Sequence, residues 1–256
     1  TDPMPLPFTP GGEVCGEIEA IGSDVSSFKI GDRVATGTAG SGCYAELMNI
    51  DAGKLVKVPK EISNDVAAAM MLQGMTVQFL IRQVYKVSRG DTILVHAAAG
   101  GVGTILCQWA SHLGATVIGT VGSPGKARLA KAHGCDYPII YSRENFVDRV
   151  RKITKGKMVP VVYDSIGQAT WPASLDCLQK RGVFVTFGNA SGPIPPIEPL
   201  VLSAKGSLMM TRPTLFDFAD TPENMLRMAS DVIKVVKSGA VKVEVNHKYS
   251  CLLYTS

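Results

Sequence analysis

The run Thr92-Ile-Leu-Val-His-Ala-Ala-Ala-Gly-Gly-Val-Gly103 joins a short apolar β-rich segment to a glycine-rich turn. Ala98, Gly100 and Gly103 stand at the three positions of a G-x-G-x-x-G fingerprint, with Gly101 and Val102 between the last two. That pattern serves a tight turn, a backbone able to approach a pyrophosphate, and a helix packed closely on its strand. The residues beyond Gly103 read as a helix that ends at Gly114. Its N-terminus offers unpaired N–H groups and a positive dipole end to phosphates. A degenerate glycine motif alone does not separate a nucleotide site from a plain tight turn. Its place after a strand and before a helix does.

Outward from this turn the same alternation continues. β-rich runs begin near Thr92, Thr116, Pro138, Val159, Val183 and Ser207, at spacings of 24, 22, 21, 24 and 24 residues. Strand, crossover helix and return loop together consume about that length. The runs are apolar on consecutive residues, as strands covered on both faces are. The fold class is therefore α/β, a doubly wound, six-stranded parallel sheet. Helix punctuation agrees. Gly114 and Gly134 stand at C′ positions, Ser123-Pro124 and Thr221-Pro222 supply N-caps with first-turn prolines, and the last helix ends at Gly239. Phe146, Val150 and Ile153 share one helical face.

The end of the second strand selects the dinucleotide. NAD sites place an Asp or Glu there for the ribose hydroxyls. No acid occurs between His112 and Asp136, whereas Lys126 and Arg128 stand where a 2′-phosphate would lie. NADPH is the expected cofactor. The competing reading of Lys126 and Arg128 is a solvated helix face.

The first 60 residues have another character. Val14, Gly16, Ile18 and Ala20 alternate with Glu13, Glu17 and Glu19, a strand with one wet face. Gly31-Asp32 is a turn, and Cys43 to Ile50 and Leu55 to Val58 read as further strands of a small β-domain. Ser63 to Val87 reads as a pair of helices. Residues 1–73, 74–213 and 214–250 form the expected catalytic domain, sheet domain and return into the catalytic domain.

Composition excludes several classes. Of 256 residues 46% are apolar and 19% charged, an ordinary globular balance. The longest apolar run, Val66 to Leu72, is far short of the roughly 20 residues a membrane helix needs. The net charge of +4 is dispersed, so neither a nucleic-acid nor a membrane partner is expected. No two of the six cysteines are closer than 28 residues, which leaves no zinc box and fits reduced thiols in a cytoplasmic protein. The four histidines lack ligand spacing, and no histidine lies within sequence reach of Asp164-Ser165 to make a triad. His96 reads as a hydrogen-bonded core residue. No metal site and no catalytic residue is assigned. Hydride transfer needs little more than a positioned cofactor in a dry pocket.

Pro10-Gly-Gly-Glu13, Gly31-Asp-Arg-Val34, His96 to Gly103, Gly119-Thr-Val-Gly122, Val162-Tyr-Asp-Ser165 and Phe187-Gly-Asn189 together resemble the medium-chain dehydrogenase/reductase superfamily, in its zeta-crystallin-like NADPH:quinone oxidoreductase family. The resemblance covers nearly the whole chain. It implies a Rossmann domain beside a GroES-like β-domain and a homodimer in the full-length protein. It implies cofactor contacts at Gly100 to Gly103, at Gly122, Ser123 and Lys126, at Tyr141 and Ser165, and along Phe187, Gly188, Asn189, Ala190 and Ser191. Lys126 and Tyr141 match the positions that hold the 2′-phosphate. Thr76 matches a residue near the nicotinamide amide, and Phe79 stands where relatives often have Tyr. Gly12 occupies the place of a zinc-binding histidine, which points to the zinc-free branch. The start at Thr1 and the tail Cys251-Leu-Leu-Tyr-Thr-Ser256 depart from the family. They read as a partial catalytic domain and a non-native end, and so as a fragment.

Three activities follow as expectations. The first is reduction of a quinone by NADPH. The second is reduction of an activated C=C bond in an enal or enone. The third is NADPH binding without catalysis, as in crystallin-type or RNA-associated relatives, which the dispersed charge disfavours.

Overall fold

The computed structural model describes residues 5–250. They fall into two units, one holding the described residues up to Met75 and from Ala219 onward, the other Thr76–Phe218. The expected non-native tail at 251–256 lies outside the described residues, as does the Thr1 start.

In the first unit β1 (Val14–Glu17), β2 (Arg33–Thr36) and β3 (Val56–Lys57) form an antiparallel sheet in that order. Gly31, at φ +84, makes the turn before β2, and its N–H donates to the Ile18 carbonyl at 2.8 Å. Three expectations fail here. The alternating strand stops at Glu17, and Glu13 does not lie on a wet face. Its carboxylate is half-buried, accepts the Leu72 N–H at 3.1 Å, and has its pKa raised by that burial. The expected strand from Cys43 to Ile50 is irregular chain, with Tyr44 and Leu47 exposed rather than facing a core. The helix pair expected over Ser63 to Val87 is a single helix, α1 (Asn64–Phe79), continued by one π turn, Leu80–Val84. Gly74 does not break it. A Cβ there would come within 2.6 Å of Val232, so the glycine admits a close neighbour.

The second unit contains β4 (Thr92–Val95), α2 (Gly101–His112), β5 (Thr116–Val121), α3 (Pro124–Ala132), β6 (Tyr137–Ile140), α4 (Phe146–Ile153), β7 (Val159–Asp164), β8 (Leu178–Thr186), α5 (Leu200–Ala204), β9 (Met209–Thr211) and α6 (Leu215–Phe218). All six strands are parallel, in the order β6-β5-β4-β7-β8-β9. The doubly wound six-stranded sheet is thus present. Its switch point, where connections leave to opposite sides, lies between β4 and β7, and ligands bind outside the carboxyl ends of strands at such points. One crossover differs from the others, since the helical part of the connection from β7 to β8 is a 3-10 turn, Ala173–Cys177, rather than an α-helix. Leu94, Ile118, Val162 and Phe184 from four strands share a core with Val150 of α4, and Phe146 and Ile153 pack against it. Each such burial contributes roughly 1.5–3 kcal/mol.

The helix ends follow the sequence signals. Ser123 Oγ accepts the Lys126 N–H at 3.3 Å at the start of α3. Thr221 Oγ1 accepts that of Asn224 at 3.2 Å before α7 (Pro222–Lys237), in the first unit. Phe218 remains with the sheet unit beyond residue 213 because its ring stacks on Phe79 at 4.6 Å. Among the described residues no helix is long and apolar enough to cross a membrane.

Candidate cofactor-binding site

The glycine turn sits at the carboxyl end of β4, against the switch point. The chain leaves the strand through His96 and reverses at Ala97, whose φ of +52 lies in the left-handed region and whose carbonyl accepts the Gly100 N–H at 2.8 Å. A non-glycine residue there costs on the order of 1–3 kcal/mol and persists only where its surroundings require it. Gly103 shows that requirement. A Cβ on it would lie 2.2 Å from the Ala97 carbonyl oxygen and 2.9 Å from Ala98 backbone, so helix and strand approach as closely as the third position of the fingerprint demands. Gly100 caps α2 without a side chain, and Gly100 and Gly101 are exposed while Val102 is half-buried. The first amides of α2 therefore face open space at a helix N-terminus, a site for a pyrophosphate.

The end of β5 forms the second wall. A Cβ on Gly122 would lie 2.8 Å from the Tyr141 hydroxyl oxygen, and the Tyr141 N–H donates to the Val121 carbonyl at 3.2 Å. Ser123 caps α3, which places Lys126 one turn in, exposed; the Tyr141 side chain is exposed too. The structure thus gathers Gly122, Ser123, Lys126 and Tyr141 at one strand end with no carboxylate among them. Arg128 is exposed on the same helix, and no ion pair involves it among the described residues.

Beyond β7 and β8 lie Ser165 and the loop from Phe187 to Ser191. A Cβ on Gly188 would strike the Ser165 carbonyl oxygen at 2.4 Å, and the Ala190 N–H donates to that oxygen at 3.2 Å. Asn189, Ala190 and Ser191 are exposed; Phe187 and Gly188 are half-buried. Below them is a polar network of residues far apart in sequence. Asp164, fully buried, accepts from the Ile166 and Gly167 N–H groups at 2.7 and 3.1 Å, from the Thr170 hydroxyl at 2.6 Å and from the Ser174 hydroxyl at 3.4 Å. His96 joins it, with Nε2 3.0 Å from Ser174 Oγ and Nδ1 2.8 Å from Thr120 Oγ1. The structure therefore brings a histidine to Asp164, which sequence distance had argued against. Burial lowers the His96 pKa, partly opposed by the Asp164 charge, and holds the ring neutral. Ser174 has one proton and two further acceptors, Asp164 and the Thr170 carbonyl at 3.0 Å. Spending it there makes Nε2–H the donor to Ser174 and Nδ1 the acceptor from Thr120. A neutral imidazole at 1% exposure is structural and touches no substrate space. Arg212, also missed in the sequence, donates to the Gly188 carbonyl at 3.2 Å and to Thr186 Oγ1 at 3.4 Å. Nothing local in the sequence marks these partners.

Thr76 is half-buried in α1. Phe79 is buried at 1% exposure, its ring stacked on Phe218. A cavity of about 580 Å³, lined by Lys86, Pro160, Arg181 and Met209 among others, opens beside the amino-terminal halves of β7, β8 and β9, away from the glycine turn. It has no part in the site. Among the described residues no three His, Cys, Asp or Glu side chains come together to hold a metal ion. The thiols are quiet. Burial pushes Cys177 up to about 12, and a hydrogen bond with Cys135, then burial, raises Cys107.

Comparison with known proteins identifies the family. The family model for zinc-binding dehydrogenases matches residues 101–231, and that for the alcohol dehydrogenase GroES-like domain matches residues 2–60. The chain is 51% identical over 245 residues to a quinone oxidoreductase from Pseudomonas aeruginosa, covering 96% of this chain and 75% of that one. It is 43% identical over 238 residues to a 2-haloacrylate reductase from a Burkholderia species, covering 92% and 72%. A crystal structure of Escherichia coli quinone oxidoreductase complexed with NADPH superposes with a TM-score of 0.93 at 44% identity, over 95% of this chain and 75% of that one. With a glycine turn at the switch point, a six-stranded parallel sheet and these relatives, the chain belongs to the zinc-binding dehydrogenase family of the medium-chain dehydrogenase/reductases, among its quinone oxidoreductases.

Proposed function

We propose that this chain passes reducing equivalents from NADPH to a quinone. The observation that carries the reading is the strand end where Gly122, Ser123, Lys126 and Tyr141 meet without a carboxylate, beside the open amides of α2. A 2′-phosphate is welcome there, and the ribose-binding acid of NAD sites is missing. Similarity to quinone oxidoreductases, one of them complexed with NADPH, supports the same cofactor.

When bound, NADPH supplies the hydride. The chain's own residues bind and orient. The first amides of α2, from Gly101 to Gly103, hold the pyrophosphate, with Gly100 and Val102 beside it; the Gly100 N–H is spent on the Ala97 carbonyl. Lys126 gives the 2′-phosphate a charge and Tyr141 a hydroxyl. Ser165, Phe187, Gly188, Asn189, Ala190 and Ser191 form the wall on the nicotinamide side, with Thr76 near the amide and Phe79 behind as apolar packing. The zinc-free reading rests on Gly12, which stands where zinc-dependent relatives would have a metal-binding histidine.

A second reading, reduction of an activated C=C bond, has the 2-haloacrylate reductase likeness behind it. Steady-state oxidation of NADPH by the full-length protein with ortho-quinones, para-quinones and enals decides between them. Turnover with quinones is expected. Turnover with enals alone would transfer the assignment to the second reading, and none with either would end both. We further propose a cytoplasmic homodimer, a reading supported, among the described residues, by the free cysteines and by the place of β9 at the edge of the sheet.

A further inference from the structure

The loops after β7 and β8 take their shape from one another. The Ser191 N–H and hydroxyl both donate to the Ile166 carbonyl, each at 2.8 Å. The Gln168 N–H donates to the Gly192 carbonyl at 3.0 Å, and the Ala169 N–H to Ser191 Oγ at 2.9 Å. With the Ala190 to Ser165 bond and the close seat of Gly188, residues 187–192 lie on a template made by residues 165–169. That template has a single organiser. Oδ1 of Asp164 draws in the Ile166 and Gly167 amides, and Oδ2 draws in Thr170 and Ser174. Ser174 passes the tie to His96, the residue before the strained Ala97 of the glycine turn, and His96 passes it to Thr120 of β5.

We propose that Asp164 is a positioning residue for the NADPH site, an inference that rests on the cofactor reading above. Its loop-facing oxygen sets the path of 165–169, and through it the wall from Phe187 to Ser191. Its other oxygen holds that wall in register with the turns after β4 and β5. The carboxylate itself touches neither cofactor nor substrate, since it is fully buried with all its bonds directed into the protein.

Asparagine at this position separates the two roles. It keeps the loop-facing acceptor, and its Nδ2 can donate to Thr170 and Ser174. Those hydroxyls have other acceptors in place, Gly167 O at 2.9 Å and Thr170 O at 3.0 Å. Alanine removes everything. The test compares wild type, Asp164→Ala and Asp164→Asn by hydrogen exchange without cofactor and by calorimetry with NADPH. Asp164→Ala should speed exchange of the Ile166, Gly167, Ala190 and Ser191 amides about tenfold or more and weaken NADPH binding about tenfold, with Ile93 to Val95 protected as in wild type. Asp164→Asn should restore both to within about threefold. Should the alanine variant fail to fold, Thr170→Val, which withdraws one donor and keeps the side-chain shape, must still speed exchange of the same amides. Unchanged exchange and affinity in Asp164→Ala or Thr170→Val overturns the proposal. So does an asparagine variant as impaired as the alanine one. Wild-type protein that ignores NADPH would defeat the cofactor reading instead, and the exchange arm would still decide whether Asp164 shapes the wall.

Discussion

The hydroxyl of Tyr141 rests over Gly122, so close that a Cβ on the glycine would stand 2.8 Å from its oxygen. An exposed tyrosine held there by its own backbone bond to Val121 puts a phenolic donor at the end of β5, beside Ser123 and Lys126. Gly122 therefore does more than turn the chain; it leaves room for the ring.

Gly122→Ala should displace Tyr141 without unfolding anything, because the crowded atom is the far end of an exposed side chain. NADPH binding should weaken several-fold, and stability should stay within about 0.5 kcal/mol of wild type. Calorimetry and chemical denaturation on the same preparation measure the two effects.

Lys126→Ala combined with Tyr141→Phe removes both proposed partners of the 2′-phosphate. Charge-assisted hydrogen bonds contribute about 1.5–3 kcal/mol, so NADPH affinity should fall roughly 10- to 150-fold. NADH, which lacks the phosphate, should bind as before. Equal losses for both cofactors would show that these residues serve something else.

Gly103→Ala should behave differently. Its Cβ would meet the Ala97 carbonyl at 2.2 Å, backbone that cannot swing aside. A loss of at least ~1–3 kcal/mol in urea denaturation is expected, together with loss of NADPH binding. A variant as stable as wild type would refute the packing argument.

The fourth prediction concerns pH. Burial lowers the His96 pKa below its ordinary 6.5, so between the folded value and 6.5 the unfolded chain binds the extra proton. Stability is then fully present above pH 6.5 and is lost as pH falls below it, by up to about 1.4 kcal/mol per unit. His96→Gln can still bridge Thr120 and Ser174 but does not titrate. Denaturation between pH 5 and 7.5 should show a shallower acid loss in the variant than in wild type. Identical slopes would place the acid sensitivity elsewhere.

Much of the sheet was legible because runs of consecutive apolar residues, recurring every 21 to 24 positions, fit little besides buried strands joined by crossover helices. Where the reading slipped, the cause is local. β8 begins at Leu178, not Val183, because Gln179, Lys180 and Arg181 are exposed, Arg181 has φ +63, and the pairing with β7 shifts register between Val159 and Val161. A bulged polar strand start resembles a loop. Cys43 to Ile50 reads as a strand, yet Tyr44 and Leu47 within it face solvent. At the site, the glycine turn and the Ser123 cap are near-neighbour effects and were readable. The Asp164 network was not, because Ser174 lies 78 residues from His96 and ten from Asp164, across a crossover whose turn has no periodic signal.

The division of the chain has a consequence for its synthesis. The sheet unit is one continuous segment, Thr76–Phe218, whereas the other unit is assembled from stretches on both sides of it. Lys237 pairs with Glu61 across 176 residues, and Gly74 makes room for Val232. At ribosomal rates of about 5–20 residues per second, the early β-strands wait roughly 10–35 s for α7 to emerge, while the sheet can close in the meantime. The early segment is the part of the nascent chain that most needs shelter, and the order of translation, more than the final stability, decides how long it waits.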